Sequence, residues 1–277
     1  MPRDCRDVTA RHVQRIRELG LTGVSCVLPS VDDCTQEQME HVRSVLNNGG
    51  VSVAQVNAQY AGLISPDETA RARGIVSLQH TCRCGTWLHA ASVYVRPGSL
   101  NTAGHWTPHP RNTDPATLTR LVNSLKQVCQ VAEDEGAVLA LEGHVVSSLD
   151  TPARVREVID AVGSPSLTFN LDPVNFVPSI PVAFDNRPLL DEMFDTLGDR
   201  IRVAHAKDLR VEDRLVVHIA ECAPGEGLLD MEYCLQRFER VAPNGWMLIE
   251  HLPDDRVPAA AAVMRAAAER AGVPIRT

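Results

Sequence analysis

Four short apolar runs in this chain each end in an acidic or histidine side chain, and helical periodicity fills the stretches between them. The runs cover 138–142, 167–172, 201–205 and 246–250, so their last residues are spaced 30, 33 and 45 apart. A short apolar run of this kind reads as a buried strand, and strands that alternate with helices pair in parallel. Parallel strands finish on the same side of a sheet or barrel. Glu142, Asp172, His205 and Glu250 are therefore expected to converge at one mouth. Three carboxylates and one imidazole suit a divalent cation such as Mn²⁺, Mg²⁺ or Co²⁺ better than a thiolate-seeking metal. Taken singly, each has a plainer reading: a cation-paired buried carboxylate for Glu142 and Glu250, a helix cap for Asp172, a satisfied core histidine for His205. Their shared register is what favours a metal site.

The rest of the chain repeats the same alternation. Strands are expected near 22, 51, 91, 137, 167, 201 and 244, each followed by a helix. The clearest helix runs over 115–135. Asp114 stands at its cap, Pro115 at its first position and Gly136 just past its end. Asp150 or Thr151 caps the next one, which Gly163 closes. Other helices are expected over 7–19, 36–46, 66–82, 188–197, 231–241 and 258–271. No low-complexity linker divides the sequence. One TIM-type (β/α) barrel over 1–277 is the economical fold, although a closed barrel of this type wants eight strands. Residues 1–7 hold Pro2, two Arg and two Asp without apolar alternation, so a first strand is expected to be missing. The first and last strands would then close directly, leave a seam under a loop, or meet a partner chain in a homo-oligomer.

Bulk properties narrow the partners. Hydrophobic residues make up 44% of the chain but aromatics only 4%, so the core must be built from Ala, Val and Leu, as parallel strands under helices require. The net charge of −8 disfavours a nucleic-acid backbone as partner. No run reaches membrane-spanning length. The eight cysteines are scattered, with no secretory segment before them, which fits free thiols in a reducing cytoplasm. Cys82 and Cys84 form the only close pair and read as helix-end thiols, because no second pair complements them.

Several motifs together resemble the xylose-isomerase-like barrel superfamily, the sugar phosphate isomerase/epimerase family. They are Leu139-Ala140-Leu141-Glu142, Asn170-Leu171-Asp172-Pro173, His205-Ala206-Lys207-Asp208, Pro224-Gly225-Glu226-Gly227 and Leu248-Ile249-Glu250. The superfamily includes ketose 3-epimerases, hydroxypyruvate isomerases, inosose dehydratases and apurinic-site endonucleases. The resemblance implies that Glu142, Asp172, His205 and Glu250 bind one divalent metal, with Mn²⁺ the leading expectation and Mg²⁺, Co²⁺ or Zn²⁺ the alternatives. It also implies that Glu142 and Glu250 act as the acid/base pair on a small carbohydrate.

Two departures stand out. Family epimerases often carry a His three residues after the Asp ligand; here Asn175 stands there, and an amide cannot shuttle a proton. They often carry an Arg six residues after the His ligand; here that place is Val211, with Arg210 one short.

Arg96, His144, Asn175, Lys207 and Arg210 are the candidate substrate contacts. Arg96 and Lys207 could equally form ion pairs, Lys207 with Asp208 or another acid, and His144 could be an ordinary loop histidine. Trp106, His109 and Arg111 fall in a long loop suited to a lid or to plain packing. His251 follows a strand residue and is expected to point away from the mouth. The expected chemistry is proton abstraction beside a carbonyl of a keto sugar or related polyol, giving isomerisation or epimerisation. Elimination by a lyase or dehydratase, and a non-catalytic barrel subunit, are the alternatives.

Overall fold

The computed structural model describes residues 1–60 and 62–276, and it divides into two compact units, Met1–Asn170 and Leu171–Thr277.

The first unit opens with a 3-10 turn at Cys5–Asp7 and helix α1 (Ala10–Glu18), and no strand precedes β1 (Gly23–Leu28) among the described residues. The polar opening segment thus behaves as its lack of alternation predicts. Helix α2 (Gln36–Asn47), strand β2 (Ser52–Ala58), helix α3 (Glu68–Trp87) and strand β3 (Val93–Val95) follow. Helix α4 (Pro115–Glu135), strand β4 (Leu139–Leu141), helix α5 (Pro152–Val162) and strand β5 (Leu167–Leu171) complete the series. Each strand pairs in parallel with the next in the chain. The register runs through Leu28↔Ala58, Val56↔Val93, Val95↔Leu141 and Leu141↔Phe169.

Local signals set most boundaries. Gly136 and Gly163 end α4 and α5 in the left-handed conformation, at φ 69° and 74°, which a residue lacking Cβ adopts freely. Thr151, not Asp150, caps α5 by accepting the Arg154 N–H at 3.2 Å; Asp150 pairs instead with the Arg154 guanidinium. Helix α3 runs one turn past its expected end. Its Gly85 lets the helix sit close on β3, where a Cβ would fall 2.7 Å from Val93 Cγ2. Leu78, Leu121, Leu125, Leu139 and Phe169 are fully buried. Each such side chain contributes about 1.5–3 kcal/mol relative to exposure.

The second unit contains a 3-10 turn at Pro173–Phe176, α6 (Ile180–Phe184), α7 (Arg187–Leu197), β6 (Ile201–Ala206) and a hairpin of β7 (Asp208–Val211) and β8 (Ile219–Cys222). Helix α8 (Met231–Val241), β9 (Trp246–Ile249) and α9 (Val257–Ala271) follow. Strands β6 and β9 pair in parallel with His205 opposite Leu248. Strands β7 and β8 pair antiparallel from Asp208↔Cys222 to Val211↔Ile219. This hairpin and α6 were not expected. Four residues per strand are too few to display a period, and a five-residue helix is little more than one turn.

Among the described residues all eight cysteines are free, and no helix is long and apolar enough to cross a membrane.

Candidate metal centre

The first unit contributes a buried carboxylate, Glu142. The Glu142 N–H donates to the Val95 carbonyl at 2.9 Å, which extends the β3–β4 ladder one step beyond Leu141. Its carboxylate, 2% exposed, accepts two side-chain hydrogen bonds. Asn170 Nδ2 donates to Oε1 at 2.9 Å, and the Tyr94 hydroxyl donates to Oε2. Gln55 Nε2 in turn donates to Asn170 Oδ1 at 3.0 Å, which fixes the amide so that its NH₂ faces Glu142. Sequence reasoning missed Tyr94, Asn170 and Gln55 as site residues. The available signal was a polar group inside a buried parallel strand, since Gln55 lies between Ala54 and Val56 and Asn170 between Phe169 and Leu171.

Arg96 is buried nearby on the same strand face as Tyr94. Its Nη1 donates to Asn57 Oδ1 at 2.9 Å and its Nη2 to the Ala58 carbonyl at 2.7 Å. The guanidinium carbon lies 5.0 Å from the Tyr60 ring centre and 5.5 Å from that of Tyr94. Its Nε is buried without a hydrogen-bond acceptor. His105 stands 5.8 Å from Tyr60, ring to ring, and burial together with the Arg96 charge pushes its pKa down to about 4. His144 sits in the loop after β4. Its Nδ1 accepts the Val146 N–H at 3.2 Å, so the neutral ring carries its proton on Nε2, and it packs 5.8 Å from Trp106. His109 and Arg111 bond locally, Arg111 to Asp114 at 2.8 Å.

The second unit gathers charged partners around Asp172, His205 and Glu250. One donor atom from each lies within 4.8 Å of the others, a grouping able to hold a metal ion. His205 Nδ1 is 3.0 Å from Glu250 Oε2 and 3.6 Å from Asp172 Oδ2. Lys207 Nζ is 2.7 Å from Asp172 Oδ2 and 2.9 Å from Glu250 Oε1. Asp172 is fully buried, and neither of its oxygens receives a well-directed hydrogen bond. Two such oxygens beside an imidazole and a second carboxylate fit a hard or borderline divalent cation. Burial alone would raise both carboxyl pKa values. For Asp172, Lys207 and His205 outweigh it; for Glu250, His205, Lys207 and His251 do the same. Both groups titrate below the ordinary carboxylate range.

The other expected residues divide. Asn175 is buried in the 3-10 turn after Asp172, and Lys207 faces Asp172 and Glu250 rather than Asp208. Asp208 accepts four backbone N–H groups instead, two at Oδ1 and two at Oδ2, and anchors the Pro224–Gly227 loop. Arg210 is not brought to this group: it is exposed on β7 and pairs with Glu212 at 3.2 Å. The expectation for His251 also needs correction. Its φ of 56° breaks strand alternation, and the ring turns back to Glu221 at 3.0 Å and to within 3.7 Å of Glu250. Hydrogen bonding to Glu221 raises its pKa.

A model of the xylose isomerase-like TIM barrel family matches residues 13–269. The chain belongs to that family. A Streptomyces coelicolor protein named "Putative hydroxypyruvate isomerase" is 25% identical over 246 residues, covering 85% of this chain and 82% of its own. A xylose isomerase-like TIM barrel protein from Mycobacterium smegmatis, solved in complex with magnesium, superposes with a TM-score of 0.73 at 16% identity. It covers 96% of this chain and 90% of that one. The 3-keto-D-glucoside 4-epimerase of E. coli gives 0.72 at 17% identity, covering 96% and 95%. At these identities the solved structures speak for the fold alone, and the fold is the TIM-type (β/α) barrel of the family.

Proposed function

We propose that this protein is a divalent-metal-dependent isomerase or epimerase of a small keto sugar or related polyol. The observation that carries the reading is the grouping itself: the wholly buried Asp172 carboxylate has donor atoms of His205 and Glu250 within 4.8 Å. Lys207 and His205 offset part of the charge of these two acids, and a divalent cation would offset more of it. Glu142 is the fourth donor in this reading. It follows β4 as Asp172 follows β5, and its partner Asn170 precedes Asp172 by two residues, on the same face of an extended chain. The hydroxypyruvate isomerase name of the Streptomyces relative supports the reaction class.

A metal bound there supplies Lewis-acid polarisation of two neighbouring substrate oxygens. Glu142 and Glu250 share the proton work. One, as the carboxylate, takes a proton from the carbon beside the carbonyl and ends protonated. The other enters as the neutral acid, delivers its own proton to carbon and ends as the carboxylate, with the hydroxyl proton passing between the two oxygens when the product is an isomer. Return to the same carbon on the opposite face epimerises, and return to the adjacent carbon isomerises. Arg96 Nε–H donates to a substrate oxygen, His144 contacts the substrate from the loop after β4, Asn175 bonds a hydroxyl, and Lys207 neutralises charge near Asp172 and Glu250.

The test is metal content followed by product. Chelator-treated protein reconstituted with Mn²⁺ should bind one ion per chain, and a His205→Ala/Glu250→Gln double variant should lose it. Wild type offered hydroxypyruvate, D-fructose and 3-keto-D-glucosides should yield a new isomer. Metal-loaded Glu142→Gln and Glu250→Gln should each lose about 10²–10⁴-fold in rate. Equal metal content in wild type and the double variant sinks the metal part. A dehydrated product moves the protein to the lyases.

A further inference from the structure

We infer that Tyr94 is a positioning residue for Glu142, a role that rests on the reading of Glu142 as ligand and proton carrier. A carboxylate on a flexible stem has a broad terminal torsion, so one hydrogen bond leaves its plane poorly defined. Glu142 accepts from Asn170 at Oε1 and from Tyr94 at Oε2, both in a buried setting. Two donors from different strands, one at each oxygen, fix the plane of the carboxylate.

Both donors are themselves held. Gln55 orients the Asn170 amide from β2. Tyr94 lies on β3 opposite Ala140, whose small side chain lets the phenol reach along the strand to Glu142 two residues further on. The Arg96 guanidinium lies over the Tyr94 ring, and that cation is tied to Asn57 and Ala58. The polar line from Gln55 through Asn170 to Glu142, closed by Tyr94, thus spans strands β2, β5, β4 and β3. Its members are neutral apart from Glu142, so it sets geometry without cancelling the charge on which metal binding depends. An outer partner of this sort is worth about 10–100-fold in metal affinity or activity.

Tyr94→Phe removes one oxygen and keeps the ring, so the fold should persist. Calorimetric titration of the apo variant with Mn²⁺ alone should show a dissociation constant raised about 10-fold. At saturating Mn²⁺, exchange of the substrate α-proton with deuterium should be read by NMR on hydroxypyruvate, D-fructose and L-ribulose. There kcat should fall about 10–100-fold while KM stays within about twofold. Gln55→Leu, which removes the bond that orients the Asn170 amide, should weaken Mn²⁺ binding in the same direction by a smaller factor. An unchanged Mn²⁺ affinity in Tyr94→Phe overturns the inference, as does a loss that falls in KM alone. If wild type exchanges none of the three probes, the proposed reaction fails, and the Mn²⁺ titration still decides the role of Tyr94.

Discussion

Replacing Asp208 by Asn should destabilise the second unit by about 2–4 kcal/mol without removing any group proposed to do chemistry. Asp208 is 1% exposed. Its Oδ1 accepts from Leu209 N at 2.8 Å and Leu229 N at 2.9 Å, and its Oδ2 accepts from Gly225 N and Gly227 N, both at 3.0 Å. An amide offers one oxygen and one NH₂. Whichever way it turns, two N–H donors face an NH₂ that cannot accept, and the other two trade a charged acceptor for a neutral one. Hydrogen bonds to a charged group net about 1.5–3 kcal/mol each. Three of the four bonds are only partly buried, so water recovers part of the loss, which sets the lower end of the range. For a chain of this size the shift in Tm is about 5–15 °C. Native-state hydrogen exchange gives the sharper assay, since the amides of Leu209, Gly225, Gly227 and Leu229 should exchange faster together. If all four keep wild-type protection in Asp208→Asn, the carboxylate is not what holds the loop.

Two further outcomes follow from the charges. His105 has its pKa depressed to about 4 in the fold against about 6.5 unfolded, so the unfolded chain binds the extra proton first as pH falls. Its stabilising contribution is complete above about pH 6.5 and is lost by about pH 4, a change of at most about 3 kcal/mol before discounting for its partial exposure; urea midpoints of His105→Gln should fall less over that range than those of wild type, and parallel curves would refute the assignment. Lys207→Met leaves the buried Asp172 and the partly buried Glu250 with one cationic neighbour fewer and should cost the metal-free protein about 3–5 kcal/mol, much of it recovered by Mn²⁺, read as the gap between Tm values with and without the ion. Equal losses in both conditions would show that Lys207 does not share its partners with a metal.

How much of this was legible depended on the length of each signal. Helix α4 follows its sequence signals residue for residue because Pro115 and Gly136 each act through local backbone constraints. The four strand ends were legible because a polar residue closing an apolar run is visible without any tertiary knowledge. The β7–β8 hairpin was not: its eight residues pair with one another, and nothing in Asp-Leu-Arg-Val announces Ile-Ala-Glu-Cys eight positions on. Within the candidate site, a single rotated residue defeated the reading of His251, since a φ of 56° reverses the face that alternation assigns. Arg210 was proposed by proximity in sequence to a family position, yet the hairpin register turns it toward Glu212. Tyr94 and Gln55 escaped because their partner, Glu142, lies 48 residues from the first and far further from the second.

The partners of Asp172 and Glu250 constrain the chemistry. Glu142 accepts hydrogen bonds from Tyr94 and Asn170, and Asp172 and Glu250 lie against Lys207 and His205. An ammonium meets a carboxylate's charge itself, so a divalent ion reaching Asp172 and Glu250 competes with Lys207 for the same oxygens. A divalent ion has twice the charge and gains correspondingly more from each carboxylate in a low-dielectric setting. Metal entry should therefore push the Lys207 ammonium off at least one of its two carboxylates, toward Glu221, whose Oε2 already lies 3.6 Å from Nζ. Glu221 in turn bonds His251, and the left-handed backbone at His251 brings that ring within reach of both acids. A strained residue persists only where its surroundings over-determine it. Here the surroundings are the acids themselves, which gives the backbone at 251 a reason that strand geometry alone does not supply.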